Sequence, residues 1–354
     1  MSISDIARPE IRHLKAYVAA DQIDGMVRLN ANESPTSPWS KLDRSPLNRY
    51  PPVRPATLQE QMAELYRVAP SNVLATRGST EAIDTLIRTF CRAYSDNIVV
   101  TPPTFDMYKV YADVQAVSLN RVPLDVEADF AFSAAAVIDS ADDNSKLIFI
   151  CSPNNPTGSL VPREDILAVA AARRDRSVVV VDEAYIEFAD RASLVQDLPK
   201  HDNMVVLRTM SKAFALAGAR CGALIGSEEA VTMLSRVLSP YSFSLPVTER
   251  VLDAMTAEGF RKAQQLVQQT IAERERLAAE LADVDVVERV WPSSANFLFV
   301  RFRAIDAVRE QLRADRILIR EFKTLVDYPG CARITVGTQE ENSLLLRSLS
   351  GVAA

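Results

Sequence analysis

Histidine is almost missing from this 354-residue chain, occurring only as His13 and His201. Neither stands at a chelating spacing from the other or from a cysteine, so no metal site is expected and a histidine-based catalytic triad is disfavoured. Cysteine is sparse as well. Cys91, Cys151, Cys221 and Cys331 are far apart, and the first three lie in or beside apolar segments, which reads as free thiols in a reducing compartment rather than a disulfide framework. No apolar run approaches the length of a membrane span. The first fifteen residues mix Asp5, Arg8, Glu10, Arg12 and Lys15 with few apolar residues, unlike a secretory signal. These absences together lead to the expectation of a cytoplasmic protein. An excess of positive charge is lacking too: 40 Lys and Arg stand against 46 Asp and Glu, a net charge of −6, so no overall field favours nucleic acid or an anionic membrane. Any phosphate has to be met locally. No internal repeat or low-complexity tract is present.

What the chain does have is an ordinary globular composition, 48% apolar and 24% charged, at a length that suits one large core and a smaller second one. Nearly continuous β-rich runs at 73–75, 98–101, 147–151, 178–181, 205–207 and 222–226 alternate with helical patterns such as 80–92 and 163–173. Runs without polar alternation mark strands buried on both faces, which predicts an α/β fold with a mostly parallel central sheet flanked by helices. After Pro240 and Pro246 the pattern changes. A long helical stretch over 247–282, with an interruption at Gly259, is followed by strands at 296–300, 317–319 and 333–336 and helices at 305–314 and 339–349. The expected division is a large domain over 46–239 and a smaller α+β domain formed by 240–354 with 1–45, an arm that wraps onto the smaller domain or onto a partner subunit.

Three polar clusters fall at the ends of consecutive predicted strands: Ser152-Pro153-Asn154-Asn155-Pro156-Thr157-Gly158, Asp182-Glu183-Ala184-Tyr185, and Ser211-Lys212. Asn155 precedes Asp182 by 27 residues and Asp182 precedes Lys212 by 30, about one βαβ unit each, so all three share one rim. A lysine partly desolvated in such a crevice has an amine available for Schiff-base chemistry. Asp182 follows four valines and would resist ionising there unless a cation or strong donor faces it. Arg77-Gly78-Ser79-Thr80-Glu81 joins a strand to a helix, where free N–H groups and two hydroxyls make a candidate anion cradle, with Ser211 and Arg220 able to complete it. Each piece also has an ordinary reading: a surface lysine, helix caps at Asp182 and at Ser79 or Thr80, a plain Asn-Pro-Thr-Gly turn, a packed Tyr185, a surface Arg220.

In combination, Asn155 within Asn-Asn-Pro-Thr-Gly, Asp182 and Tyr185 within Asp-Glu-Ala-Tyr, and Ser211-Lys212 with Arg220 resemble the signature of the fold-type I pyridoxal-phosphate aminotransferases. The likeness runs from Arg28-Leu29-Asn30-Ala31-Asn32-Glu33 to Arg333-Ile334-Thr335-Val336-Gly337. Leu29-Asn30-Ala31-Asn32-Glu33, Asn48-Arg49-Tyr50-Pro51 and Asp182-Glu183-Ala184-Tyr185-Ile186-Glu187-Phe188 are most similar to the histidinol-phosphate aminotransferase branch. The resemblance implies pyridoxal 5'-phosphate as cofactor and a role for each matching residue. Lys212 holds the cofactor as a Schiff base and moves the proton, and Asp182 keeps the pyridine nitrogen protonated. Tyr185 and Asn155 face the phenolic oxygen and Phe105 stacks on the ring. Gly78, Ser79, Thr80, Ser211 and Arg220 hold the phosphate, Tyr50 reaches in from the second subunit of a homodimer, and Arg333 clamps a substrate carboxylate. Two positions depart from the pattern: Phe105 stands where Tyr is frequent, and Thr80 where Asp commonly precedes the Glu.

The implied reaction passes an amino group between L-histidinol phosphate and 2-oxoglutarate, giving imidazole-acetol phosphate and L-glutamate in histidine biosynthesis. Histidinol phosphate lacks an α-carboxylate, so one site must accept a phosphate in one half-reaction and carboxylates in the other. Arg320 and Tyr17 are the candidates for the substrate phosphate, a surface Arg and a packed Tyr being their ordinary readings. The competing enzymes are an aromatic amino acid aminotransferase and a threonine-phosphate-type decarboxylase on the same fold. A pyridoxal-phosphate sensor would need a DNA-binding module, for which the N-terminal segment is too short and too acidic.

Overall fold

The computed structural model describes residues 2–19, 22, 28–37, 47–322 and 328–352. Among these residues, eleven strands form two sheets. The first holds β1 (Val73–Thr76), β2 (Asn97–Val100), β3 (Ser118–Arg121), β4 (Ser145–Cys151), β5 (Val178–Asp182), β6 (Met204–Thr209) and β7 (Gly222–Ile225) in the order β1-β7-β6-β5-β4-β2-β3. Neighbours from β3 to β6 are parallel, and β7 alone runs antiparallel, to both β6 and β1. The four valines of β5 explain why the strand sequences do not alternate: Val178 and Val180 enter one buried cluster and Val179 and Val181 the other, each cluster roofed by helices. β3 shows the opposite case. It is an edge strand with exposed ends, Ser-Leu-Asn-Arg, and carries no apolar run for a sequence pattern to find.

The second sheet, in the order β10-β11-β9-β8, is antiparallel and contains β8 (Val287–Val290), β9 (Phe297–Phe302), β10 (Arg320–Glu321) and β11 (Cys331–Thr335). Helices Ala257–Ala282, Ile305–Ala314 and Gln339–Ser350 pack on it. The strand expected at 317–319 is replaced by the short β10 just beyond it. A clamp from the long helix ties the two units together: buried Arg274 donates to the carbonyls of Phe188 and Ala295, at 3.1 and 3.0 Å.

Three expectations about the connections need correction. The long helical stretch breaks at Met255-Thr256, giving Leu245–Ala254 and Ala257–Ala282. Thr256 caps the second helix by accepting from the Gly259 N–H at 3.2 Å, and a Cβ on Gly259 would lie 2.1 Å from the Ala254 carbonyl oxygen. Gly259 is there for that close approach, inside a helix rather than interrupting one. The change of core also comes later than residue 239, because Phe243, Val251 and Met255 pack into the cluster on the large sheet. Finally, the first residues join the large unit and not the smaller one. Ile3, Ile6 and Ala7 are buried against its helices, and Arg8 Nη1 donates to the Arg88 carbonyl at 2.9 Å. The expected boundary at 45–46 lies outside the described residues.

Candidate active site

The parallel register aligns Cys151 of β4 with Asp182 of β5, and Asp182 with Leu207 of β6, so the polar residues that follow these strands share one edge of the sheet. There they line a cavity of about 220 Å³ with Ser79, Thr80, Phe105, Asn155, Asp182, Tyr185, Ser211, Lys212, Arg220 and Arg333 on its walls. Cys151, Ala184, Thr209 and Ala217 complete the lining.

Asp182 is 2% exposed. It caps no helix. Its Oδ2 accepts from the Tyr108 hydroxyl at 2.9 Å and its Oδ1 from the Ala184 N–H at 3.2 Å. Burial pushes its carboxyl up to about 6, against the pull of those two donors. Lys212 lines the cavity with its Nζ 5.6 Å from the centre of the Tyr185 ring. Desolvation lowers its proton affinity, helped by the charges of Arg333 and Arg220 and opposed by Asp182, so the amine is easier to deprotonate than a surface lysine.

The Asn-Pro-Thr-Gly segment is more than a turn. Asn154 is the structural residue, its Nδ2 donating to the Pro103 carbonyl and to Thr157 Oγ1, both at 2.8 Å. Asn155 is turned the other way, into the cavity. Its Oδ1 accepts from Arg333 Nη1, which leaves the Nδ2 end facing the Tyr185 hydroxyl at 3.4 Å. Tyr185 is buried edge-on against Phe297, 5.1 Å between centroids, and desolvation raises its phenol well above the usual range. Gly158, at φ +77°, is needed because a Cβ would meet Ser293 Oγ at 2.2 Å.

Also on the cavity wall, helix Ser79–Phe90 starts at Gly78 with no side-chain cap. Ser79 and Thr80 are therefore inside the first turn and cap nothing, and the first N–H groups of that helix have no intrahelical partner. Arg220 comes across to this helix start, its Nη1 3.5 Å from Ser211 Oγ and its Nη2 3.5 Å from Thr80 Oγ1. A Cβ on Gly78, whose φ is +76°, would stand 2.9 Å from Arg220 Nη2. Guanidinium, hydroxyls and helix N-terminus converge on one point, which is an anion site by construction.

Four expected residues are not on the cavity wall, Gly78 at the start of helix Ser79–Phe90 among them. Tyr50 is 50% exposed and packs against Tyr241 at 4.9 Å between centroids. Tyr17, 58% exposed, meets the same Tyr241 ring at 6.1 Å. Arg320 is exposed on β10 beside Arg333 of β11, with its guanidinium 5.9 Å from the Phe322 ring. One residue that matters was not anticipated: Tyr108, the donor to Asp182, lies behind the cavity wall, three positions after Phe105, and its only sequence signal is an aromatic on the apolar face of a short helix.

A cavity with an activated amine, a buried carboxylate and an anion cradle is one that several families could use, and comparison with known proteins decides between them. The family model for aminotransferases of class I and II matches residues 24–349. The chain belongs to that aminotransferase family. It is 39% identical to histidinol-phosphate aminotransferase 1 of Pasteurella multocida, covering 100% of both chains, and 39% identical to the histidinol-phosphate aminotransferase of Shigella sonnei over 99% of this chain and 98% of that one. Its fold matches the crystal structure of histidinol-phosphate aminotransferase from Sinorhizobium meliloti in complex with pyridoxal-5'-phosphate, with a TM-score of 0.78 at 22% identity over 86% of this chain and 83% of that one. The fold-type I architecture of this aminotransferase is thus shared with that structure. Among its described residues no helix is long and apolar enough to cross a membrane, and no group of histidine, cysteine and carboxylates is disposed to hold a metal.

Proposed function

We infer that this aminotransferase transfers the amino group of L-histidinol phosphate to 2-oxoglutarate, using pyridoxal 5'-phosphate and yielding imidazole-acetol phosphate and L-glutamate, a step of histidine biosynthesis. The observation that carries the cofactor is the buried Asp182 carboxylate, held with a raised pKa and with no cationic side chain bonded to it among the described residues, in the same cavity lining as the Arg220 anion cradle. A protonated pyridine nitrogen would suit the carboxylate and a phosphate the cradle. When bound, pyridoxal phosphate supplies an aldehyde for the amino group and a conjugated ring that accepts the electron pair released at the substrate Cα.

The protein's own residues do the rest. Lys212 Nζ, with its lowered proton affinity, would be the amine that holds the aldehyde, and as a free amine it would take the proton from the substrate Cα and deliver it to the former aldehyde carbon. Asp182 keeps a proton on the ring nitrogen. Asn155 Nδ2 and the Tyr185 hydroxyl, directed at one another, are the donors for the ring's phenolic oxygen. Phe105 covers the ring face. Ser79, Thr80, Ser211, Arg220 and the backbone at Gly78 would hold the phosphate and so anchor the ring.

Arg333 is the clamp for the glutamate α-carboxylate. It lies among Phe297, Phe322 and Asn155, and partial burial strengthens any charge-assisted bond it makes. Histidinol phosphate offers it no carboxylate, and Arg320 and Tyr17 are the groups assigned to the substrate phosphate. Tyr50 and Tyr17, exposed and away from the cavity of their own chain, suit a homodimer in which Tyr50 reaches the partner's cofactor phosphate. Four buried free thiols agree with a cytoplasmic enzyme. The test is a comparison of kcat/KM for histidinol phosphate and phenylalanine, each with 2-oxoglutarate. Histidinol phosphate is expected to be strongly preferred; a preference for phenylalanine, or release of CO₂ from threonine phosphate, would overturn the assignment.

A further inference from the structure

Tyr108 is fully buried and is not among the residues lining the cavity, yet it touches two groups that are. Its hydroxyl donates to Asp182 Oδ2 at 2.9 Å. Its ring stands edge-on to Phe105, with centroids 5.7 Å apart and planes at 88°, and is itself stacked on Phe149 at 4.6 Å and 18°. Helix Met107–Val114 delivers the phenol, and β4 supplies the Phe149 plate that stops its ring from tilting.

A carboxylate held at one oxygen only can swing about its own axis. Asp182 is held at both, by Tyr108 on Oδ2 and by the Ala184 N–H on Oδ1, which fixes the plane of the carboxylate while each oxygen keeps a lone pair free. The groups facing Asp182 from the surrounding elements are Tyr108, Cys151 on β4, Tyr185 after β5, Lys212 after β6, and the adjacent Glu183, whose charge is met by Arg208 at 3.7 Å. Tyr108 is the side-chain donor of this set. Its bond favours the ionised carboxylate and works against desolvation.

We propose that Tyr108 is a positioning residue for the cofactor, one buried phenol setting both the carboxylate that meets the ring nitrogen and the aromatic plate that covers the ring. The proposal rests on the pyridoxal-phosphate reading of the cavity. Its test is the substitution Tyr108→Phe, which keeps the ring against Phe105 and Phe149 and removes only the hydroxyl, with Asp182→Ala measured in parallel. Removing a hydrogen bond to a charged group should weaken pyridoxal-phosphate binding to the cofactor-free protein by roughly tenfold or more, read by equilibrium dialysis. The acid limb of cofactor affinity should move to higher pH, and kcat should fall with the KM for glutamate little changed.

A folded Tyr108→Phe protein with parental cofactor affinity and an unmoved pH limb would overturn the proposal. If Asp182→Ala abolishes cofactor binding in the same experiment, the failure is that of Tyr108 alone; if Asp182→Ala also binds normally, the cofactor reading fails with it. Should Tyr108→Phe not fold, 3-fluorotyrosine at position 108 provides a donor of greater acidity. The acid limb should then move to lower pH, and a limb that stays in place would overturn the role.

Discussion

The sheet edge that carries Asn155, Asp182 and Lys212 and the outer approach that carries Tyr17, Tyr50 and Arg320 are built to different rules. At the sheet edge Asp182 is held by buried Tyr108, Asn155 by half-buried Arg333, and the Asn155 loop by buried Asn154. On the outer approach exposed Tyr17 and Tyr50 pack against the Tyr241 ring and exposed Arg320 lies over Phe322. On the proposed roles, a single chain has its cofactor chemistry preorganised and its substrate selection still open. Chemistry that must stabilise developing charge needs donors that do not move, whereas a site that alternates between a phosphate and two carboxylates gains from groups that can adjust.

Substitutions on either side should separate these two regions. The largest effect is expected for Lys212→Ala, which removes the residue proposed both to hold the cofactor and to move the proton. Turnover should fall by at least about 10³-fold, read in a coupled glutamate assay, with the visible absorbance of the bound cofactor altered. Full turnover in that variant would break the comparison at its firm end. Next comes Arg333→Ala, expected to cost roughly 10²-fold in kcat/KM for glutamate and much less for histidinol phosphate, because only glutamate presents an α-carboxylate. Equal losses would remove Arg333 from its role.

Asp182→Asn addresses the cost of the preorganised side. The folded-state pKa of Asp182, about 6, lies above its ordinary value, so the folded protein holds this proton more tightly than the unfolded chain does. Below about pH 4 the group is protonated in both states and contributes nothing; as pH rises through 6 the parent loses stability. The cofactor-free variant should therefore gain about 2 kcal/mol over the parent between pH 4 and pH 7 in urea denaturation, while losing turnover. A stability difference that does not change with pH would show that Asp182 is not desolvated as described. The smallest effect is expected on the outer approach. Arg320→Ala should lower kcat/KM for histidinol phosphate by about tenfold and leave pyridoxal-phosphate affinity unchanged, as suits an exposed cation with adjustable geometry.

The same division decided how much could be read from the sequence. Strands buried on both faces declare themselves as unbroken runs, so β4, β5 and β6 and the polar residues after them were legible, and with them the shared edge of Asn155, Asp182 and Lys212. Edge strands do not. β3 and β8 are partly exposed and carry mixed residues, and neither was anticipated. Gly259 was read as a helix breaker because local propensity knows nothing of the Ala254 carbonyl that comes against it. The docking of Ile3 and Ile6 on the large unit is likewise set by a groove made far away in the chain. Tyr108 shows the limit most clearly. Nothing local distinguishes it from a core tyrosine; only the tertiary fold puts its hydroxyl 2.9 Å from the carboxylate that the sequence had already singled out.

The most direct test of the central claim is chemical. The protein loaded with pyridoxal phosphate is reduced with borohydride, digested, and searched by mass spectrometry for the pyridoxyl adduct. The account predicts a single stoichiometric adduct on Lys212. An adduct on another lysine, or none, would contradict it.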